Sequence, residues 1–547
     1  MKPKQSRPGR AGWVLGAGAL VLSGIPGAPF AGFGVLLAVA ALVFGLISLL
    51  LVLVRDRSPR GIGAPLAAMA LGVVALTVAA VQQINVAKGH RRSFGRSPGL
   101  GVPELRQMAR LDLQEGRDPE RRPSMAGFSS SLPVVILSTE GRRVERDAST
   151  FVRLEIHDPG WKPEAGPVAP AFNGHSLIHY RGYSSLRLPK LSYTVHLVDA
   201  ATNQVKASLL GLPKDDDWVL YAPFEDKTML RDVLAFEMTR AMGRYAPRTR
   251  FVELFVNRTT GPVSMNDYEG VYILIEKIKR GAERVNIKKL EPDDQAEPAI
   301  TGGYIVKRDH QDRDGARFRT RQGGPYFFVS PKDRLITREQ RSWIAGYFQA
   351  FENALHGPEF ADPRTGYAAY LDVDSMIDMH WLVEGTKNVD GFRYSAFLTK
   401  DREGKLQLGP PWDWNRSFGN ADYYEGWETD GWYGENLRST EISWHERLMQ
   451  DPKYAARVSE RWRELRKAVF DPPTLRNRIR QLAGELDGAR QRNFKRWPIL
   501  GRKVTCNYFV GRTYEDEIEW LSRWIEKRVA WIDHEIGPGD PPAGVPE

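Results

Sequence analysis

A run of 44 residues without a charged side chain, from Ala11 to Val54, constrains this chain more than any other feature of its sequence. A second uncharged apolar stretch follows after a short basic loop. A helix needs about 20 apolar residues to cross a bilayer, and the apolar core of a cleaved signal peptide is much shorter. The sequence therefore predicts a transmembrane module over residues 1–87, with three spans at about 12–30, 33–54 and 63–84.

Basic residues beside these stretches predict the orientation of the module. Those that precede the first and third spans favour the cytoplasm, which places the rest of the chain on the other side. The basic residues that follow the third span favour the opposite arrangement. If the first apolar stretch does not cross the membrane, only two spans remain, and the rest of the chain would lie in the cytoplasm. Buried helices of a soluble protein are a further alternative. We expect an integral protein of a bacterial cell membrane, in contact with the lipid bilayer, whose soluble domain lies outside the cytoplasm.

Charge and cysteine content limit the partners of the soluble part. The chain has 547 residues and a net charge of +10, which fits an anionic partner such as a nucleotide, an acidic protein or a membrane surface. No long basic run with interleaved aromatic residues is present, so we expect no nucleic acid. The single cysteine, Cys506, excludes an intrachain disulfide and a cysteine-based zinc site. The 10 histidines lack the spacing of metal ligands.

Composition also divides the chain behind the apolar module. Residues 88–131 are basic and rich in Gly and Pro, which is typical of a linker. Residues 132–537 contain mainly strand patterns first and mainly helix patterns last, with a hairpin between them. This order predicts an α+β, two-lobed arrangement with a helical C-terminal part. Residues 538–547 are expected to be a disordered tail.

Asp390 and Asp413 stand at the two ends of the predicted hairpin. Residues 393–400 and 405–412 have strand patterns and are joined by the turn residues "DREG". Paired strands lie about 4.8 Å apart, so the hairpin brings both acids to one end. Two carboxylates at that distance favour a bound cation, and Asp413 with the amide of Asn415 suits Mg²⁺ or Mn²⁺. Asp390 would then accept the proton of an attacking hydroxyl. Equally, each aspartate could simply cap a turn.

A second hairpin predicts a binding site for phosphate. Its loop contains a flexible glycine, two hydroxyl groups at Ser184 and Ser185, and the cations Arg181 and Lys190. Backbone N–H groups, hydroxyls and cations together suit a polyphosphate. The same residues are also ordinary in a solvated loop. Neither a P-loop motif nor a dinucleotide-binding glycine motif is present.

Six stretches in a fixed order resemble the spore coat protein H (CotH) kinase family. They cover roughly residues 152–419, and the helical tail is similar to the C-terminal part of that family. The stretches are "RGYSSLRLPKLSYTVHL", "LLGLPKDDDWVLYAPFEDKTMLRDVLAFEMTRAMGRYAPRTRFVELFVN", "YEGVYILIEKIK", "GGYIVKRD", "EGTKNVD" and "PWDWNRSFG". The resemblance implies an atypical protein-kinase-like fold that binds ATP with a divalent metal ion and phosphorylates Ser or Thr in another protein or in itself.

The resemblance also implies a role for individual residues. Asp390 takes the place of the catalytic aspartate, and Asp413 that of the metal-binding aspartate, with Asn415 and Ser395 beside it. The implied nucleotide-binding residues are Lys190, Arg181, Ser184, Ser185 and Glu276. Possible supporting residues are Arg231, Glu237 and Asn388; Glu237 could orient Lys190 or merely form a surface ion pair.

Two departures from the family pattern leave alternatives open. Ser395 stands where many members have an asparagine, and Asn415 stands at the second acidic position after "PWD". Both residues lack charge, which weakens a metal site. The first hypothesis is therefore a membrane-anchored protein kinase, and the second is a non-catalytic envelope or surface assembly protein. Metal-dependent hydrolysis is a third, for which a water-activating histidine is missing.

Overall fold

Seven strands close into a barrel in the computed structural model, which describes residues 124–166, 168–310, 315–437 and 441–537. Their order is β1-β2-β3-β4-β5-β7-β6, and the parallel pairing of β1 with β6 closes the barrel. The strands are β1 (Val134–Ser138), β2 (Thr150–His157), β3 (Phe172–Arg181), β4 (Ser192–Val198), β5 (Asp217–Tyr221), β6 (Thr249–Asn257) and β7 (Tyr268–Glu276).

Alternation of apolar and polar residues explains why these segments form barrel strands. In β2, Val152, Leu154 and Ile156 are buried, whereas Arg153 between them is exposed. Successive side chains of a strand point to opposite faces, so the apolar set fills the interior. β7 differs because all nine of its residues are buried. It therefore faces the barrel interior on one side and packed helices on the other.

A separate sheet of five antiparallel strands has the order β12-β11-β8-β10-β9. Leu398 of β11 lies opposite Leu408 of β12, which confirms the hairpin predicted from the sequence. The second predicted hairpin, β3–β4, is likewise confirmed, and β6 pairs with β7 in the same antiparallel way. The strands of this sheet are β8 (Tyr304–Arg308), β9 (Arg317–Phe318), β10 (Tyr326–Ser330), β11 (Ala396–Lys400) and β12 (Leu406–Leu408).

The helices of the described chain pack around the largest apolar core. The last helix begins at a capping box between Thr513 and Asp516 and buries Leu521, Ile525 and Val529 along one face. The helices are α1 (Arg231–Ala241), α2 (Arg338–His356), α3 (Val373–Thr386), α4 (Trp444–Leu448), α5 (Pro452–Arg466), α6 (Pro472–Glu485), α7 (Ala489–Arg496) and α8 (Tyr514–Ile536).

The predicted fold class and location require correction. The described strands form a closed barrel and a separate sheet, and not the two-lobed fold preceded by transmembrane helices that we predicted. Across the four described ranges, no helix is both long and apolar enough to cross a bilayer. The longest, α8, has 23 residues but carries charged side chains throughout. These findings contradict the predicted integral membrane protein with an extracytoplasmic domain; the three predicted spans themselves lie outside the described residues.

The predicted domain limits fall only partly on the described chain. Of the predicted linker, residues 124–131 are described, and Met125 and Phe128 are buried there. Phe128 packs edge-to-face on Phe255 of β6, with 5.2 Å between ring centroids. Folded structure thus begins before Leu132, where the sequence placed its start. The predicted tail, 538–547, lies outside the described residues.

A buried histidine pair makes the stability of this fold sensitive to acid. The rings of His380 in α3 and His445 in α4 are stacked, with centroids 3.5 Å apart. Burial lowers the pKa of His380 well below its usual value of 6.5, assisted by His445 and Arg528, and burial lowers the pKa of His445 to about 4. Below pH 6.5 the two histidines bind protons in the unfolded chain but not in the folded chain. The free energy of unfolding is therefore highest above pH 6.5 and falls as the pH decreases below it.

We expect His380→Phe to reduce this acid sensitivity while preserving a stacked ring. Loss of one titrating histidine should make the fall in unfolding free energy less steep by about 1.4 kcal/mol per pH unit between about pH 6 and 4.5. Urea unfolding at a series of pH values measures the slope. An unchanged slope would show that His380 is not kept neutral by the fold. The exposed His534 provides the matched control, because His534→Phe should leave the slope unchanged.

Candidate active site

A cleft of about 900 Å³ is lined by residues of the barrel and of the five-stranded sheet. The connection between β3 and β4 forms one part of its lining, and the hairpin β11–β12 with its flanking loops forms another. Of the twelve site residues predicted from the sequence, seven line this cleft: Arg181, Ser184, Ser185, Asp390, Ser395, Asp413 and Asn415.

The loops on either side of the hairpin bring Asp390 and Asp413 to this cleft. Asp390 follows the end of α3, and Asp413 follows the end of β12. Asp413 has φ +67°, in the left-handed region that residues other than glycine seldom adopt. The next backbone N–H, of Trp414, donates to Oδ1 of Asp232 in α1 at 2.7 Å. This hydrogen bond fixes the backbone beside Asp413, and such strain is common at functional sites.

The two carboxylates resist ionisation. Burial raises the pKa of Asp413 to about 6, and the negative charge of Asp390 contributes to this rise, while Arg416 opposes it. Burial likewise raises the pKa of Asp390, against the effects of Arg416 and Arg393. Desolvation and a neighbouring like charge both favour the neutral form of a carboxyl group. A cation beside Asp413 would stabilise the ionised carboxylate and so offset both the desolvation and the repulsion from Asp390.

Two further acidic residues lie near Asp413, and no sequence motif indicated a role for them. Burial raises the pKa of Asp232 to about 8, with the charge of Asp413 as the next cause, so this side chain is neutral near pH 7. Glu225 accepts from Arg416 at 2.7 Å and from Nδ2 of Asn415 at 3.3 Å. Glu225 therefore supplies a negative charge next to Asn415, where the family pattern has an acid. Both lie within a stretch that carries the family resemblance, but only folding brings Glu225 to the cleft and Asp232 to the backbone beside Asp413.

Two of the predicted supporting residues hold the loops of the cleft. Arg231 is fully buried, pairs with Asp226 at 2.5 Å and donates from Nε to the carbonyl of Ser417 at 3.1 Å. Its position ties the start of α1 to the segment that follows Asp413. Oδ1 of Asn388 accepts from the backbone N–H of Asp390 at 3.2 Å. Neither side chain lines the cleft, so each acts on it through the backbone.

The loop between β3 and β4 forms the basic and hydroxyl-bearing wall. Ser184 and Ser185 begin a 3₁₀ turn, and the guanidinium of Arg181 lies over the ring of Trp412, 4.9 Å from its centroid. Gly182 has φ +123°, and a Cβ there would lie 2.0 Å from Oγ of Ser185. Only glycine fits this backbone, which brings the two serine hydroxyls to the cleft. Further cations line the cleft: Arg187, Lys277, Lys307 and Arg416.

Glu276 and Glu237 lie away from the cleft. Glu276 is completely buried in β7 and accepts from Nε of Arg248 at 2.9 Å. Glu237 of α1 accepts two hydrogen bonds from Arg478 of α6, at 2.8 and 2.7 Å. The nucleotide contact implied for Glu276 is thus without support in the structure. Of the two alternatives for Glu237, the structure shows the ion pair and not the contact with Lys190. Both glutamates join secondary-structure elements.

Lys190 also points away from the cleft. Its Nζ donates to the carbonyl of Val271 in β7 at 2.5 Å and to Oδ1 of Asn493 in α7 at 2.9 Å. It lies over the ring of Tyr272, 4.8 Å from the centroid. Burial lowers its pKa to about 7. These contacts join the barrel to α7 and leave no path to a nucleotide in the cleft.

We therefore expect Lys190→Met to reduce stability and to leave nucleotide binding intact. Loss of two buried hydrogen bonds should lower the free energy of unfolding by about 1–3 kcal/mol. The matched variant Arg181→Met removes a cation from the cleft instead, and it should weaken Mg·ATP binding with a smaller loss of stability. Urea unfolding and calorimetric titration with Mg·ATP measure the two quantities. Weaker nucleotide binding in Lys190→Met at unchanged stability would contradict this assignment.

Aromatic rings cross the cleft, which sequence patterns did not reveal. His310, next to β8, is stacked between Tyr183 of the β3–β4 loop and Tyr394 before β11, at centroid distances of 4.9 and 3.9 Å. The hydroxyl of Tyr423 donates to Oδ1 of Asp390 at 3.4 Å. His310 and Tyr423 each follow one of the stretches that resemble the family, so only the fold shows their position.

A second group of acids lies elsewhere in the described chain. Carboxylate oxygens of Asp215, Asp216 and Asp217 lie within 4.8 Å of one another. The ammonium of Lys279 is 3.0, 3.0 and 2.6 Å from the three. Lys277 lies 3.7 Å from Asp217 and Arg284 lies 3.8 Å from Asp215. Because these three cations already balance the charge of the acids, we assign no metal to the group.

Comparison with known families fits the arrangement in the cleft. The family model described as CotH kinase protein matches residues 178–532, about two thirds of the chain. At family level, the match supports a kinase-like enzyme. The chain belongs to the CotH kinase family, which confirms the resemblance seen in its motifs. The chain has no match among curated proteins.

Proposed function

We propose that this protein is an ATP-dependent protein kinase that transfers the γ-phosphate to a Ser or Thr hydroxyl with Mg²⁺ or Mn²⁺. The observation that carries the proposal is the pair of acids, Asp390 and Asp413, in one cleft with Arg181 and Ser185. Acids that hold a metal ion, facing cations and hydroxyls that hold phosphate, are the parts that phosphoryl transfer requires. Membership of the CotH kinase family supports the same chemistry.

The residues present fit a divalent ion. Asp413, Asn415 and Ser395 offer oxygen atoms at the cleft, and hard divalent ions prefer oxygen ligands. The raised pKa of Asp413 indicates negative charge that the surrounding protein does not balance. Glu225 adds negative charge beside Asn415. When bound, the ion would supply positive charge against the charge that develops on the phosphate.

The remaining residues divide into two roles. Asp390 would orient the acceptor hydroxyl and take up its proton, which is the task of a general base. Arg181, Ser184 and Ser185 would bind phosphate oxygens through charge-assisted hydrogen bonds. The cations Lys277 and Lys307 line the same cleft and would add to the attraction for a polyphosphate.

Thermal unfolding with and without Mg·ATP tests binding, and transfer of labelled γ-phosphate to a casein-like protein tests catalysis. A ligand at 100 times its Kd stabilises the folded state by about 2.7 kcal/mol. We expect Mg·ATP to raise Tm, whereas ATP with EDTA should raise it less. The absence of any shift at millimolar Mg·ATP would contradict the kinase and favour a non-catalytic assembly protein. A shift without phosphate transfer would restrict the protein to nucleotide binding.

A further inference from the structure

We propose that Tyr423 is an internal phosphoryl acceptor, so that this protein phosphorylates itself on a tyrosine of its own cleft. The proposal rests on the proposed kinase function and adds an acceptor of a different type from Ser or Thr. Three features carry it: the contact of the tyrosine hydroxyl, the loop on which it lies and the cation beside it.

The contact is the one that an acceptor needs. The Tyr423 hydroxyl donates to Oδ1 of Asp390 at 3.4 Å, and both residues line the cleft. A general base must lie within hydrogen-bonding reach of the proton that it accepts, and this distance is often long before the substrate is bound. Burial and the neighbouring Asp390 raise the pKa of Tyr423. The hydroxyl thus keeps its proton until transfer, and Asp390 is placed to take it.

The loop presents this tyrosine to the cleft from one side. Tyr424 and Glu425 have φ of +49° and +53°, in the left-handed region, so the chain turns sharply just after Tyr423. The rings of Tyr423 and Tyr424 meet edge-to-face with 5.4 Å between their centroids. Tyr424 is 40% exposed, whereas Tyr423 is more deeply placed. The two neighbouring tyrosines therefore differ in their access to Asp390.

A cation near the hydroxyl would receive the product. Arg416 interacts electrostatically with Tyr423, Asp390 and Asp413, and it lines the cleft. A guanidinium group binds phosphate oxygens in pairs. A phosphate on Tyr423 would therefore have a counter-charge in place. It would also occupy the position of an acceptor beside Asp390, so the modification should limit itself to one phosphate per chain and should slow transfer to other proteins.

The proposed transfer is balanced. A bond forms between the Tyr423 oxygen and the γ-phosphorus of ATP, while the bond from that phosphorus to the β–γ bridging oxygen breaks. The hydroxyl proton passes to Asp390 and then to solvent, and ADP leaves. One ATP is consumed for each phosphotyrosine formed.

The test is incubation of the purified full-length chain with Mg·ATP, followed by peptide mass spectrometry. We expect phosphate on Tyr423, formed with a first-order rate constant that does not change over about tenfold dilution. Tyr423→Phe should lose this phosphate. The matched control Tyr424→Phe, which removes the neighbouring hydroxyl, should keep it. Wild-type chains should not phosphorylate Tyr423 of an added Asp413→Asn chain.

The outcomes separate this inference from the proposed function. Transfer to casein-like protein without phosphate on Tyr423 would overturn the inference and leave the kinase standing. Phosphate on Tyr424 instead, or a rate that increases with protein concentration, would also overturn it. If Mg·ATP neither binds nor donates phosphate to any acceptor, both proposals fail.

Discussion

Asp390→Asn should lower the rate of phosphoryl transfer by about 10²–10⁴-fold while leaving Mg·ATP binding almost unchanged. An amide cannot take up the acceptor proton, but its oxygen still accepts the hydrogen bond of Tyr423. Removal of the Asp390 charge should also lower the pKa of Asp413, since that charge contributes to its present elevation. Steady-state kinetics with a protein acceptor, together with calorimetric titration of Mg·ATP, measure the two effects.

A neighbouring aspartate provides the control for this variant. Asp422 pairs with Lys503 at 2.6 Å and lies one residue from Tyr423, but it is not part of the cleft lining. Asp422→Asn should retain transfer within about twofold, as expected of a surface substitution. Equal losses in both variants would mean that Asp390 has a structural role only, and unchanged transfer in Asp390→Asn would contradict its role as the base.

Asp413→Asn should have opposite effects on the two states of the protein. Without ligand, it should raise the free energy of unfolding by roughly 1–3 kcal/mol at pH 7, because it removes a buried charge that faces Asp390. Asparagine also tolerates the left-handed backbone at this position. With Mg·ATP, however, the variant should show no stabilisation, since an amide oxygen holds a divalent ion far less strongly than a carboxylate does. Urea unfolding with and without Mg·ATP checks both signs.

The gain without ligand should depend on pH in a defined direction. The pKa of Asp413 in the folded protein is about 6, above its usual value of 3.8. Ionised Asp413 therefore destabilises the folded wild type above pH 6, and this cost disappears as the pH falls below 6 and the carboxyl takes up a proton. The advantage of Asp413→Asn should be full near pH 7 and small near pH 4.

Asp232→Asn is the matched control for Asp413→Asn. Its side chain is neutral near pH 7, and asparagine retains an oxygen that accepts from the N–H of Trp414. Ligand-free stability should therefore change little. A large gain in stability from Asp232→Asn, or a loss of stability in Asp413→Asn, would contradict the charge assignment in this cleft.

Local patterns in the sequence predicted those parts of the fold that local forces determine. The hairpin β11–β12 formed as predicted because strand residues flank a turn-forming "DREG". The helices α4 to α8 likewise lie in the last part of the chain, where helix patterns dominate the sequence. The barrel was missed because β1 pairs with β6, more than 100 residues later, and no local pattern reports such a pairing.

In the candidate site too, local sequence predicted some positions, and long-range packing determined the others. Asp390 and Asp413 both line one cleft, and a single hairpin with its flanking loops connects them. Lys190 is near Ser185 in the sequence, but its side chain packs against β7 and α7. Both elements are distant in the sequence, so local patterns around Lys190 could not predict these contacts. Glu225 and Asp232 enter the site through contacts with the segment after Asp413, nearly 200 residues away. Their roles depend on tertiary packing alone.

The contact of Lys190 with Asn493 determines where this chain can be shortened. The barrel ends with β7 at Glu276, so strand boundaries alone would suggest that a shortened chain could end there. Such a fragment would lack α7, however, and with it the amide that accepts from the buried ammonium of Lys190. It would also expose β7, which is buried on both faces. Expression of the barrel alone should therefore give insoluble or proteolysed material, and soluble fragments should extend beyond Arg496.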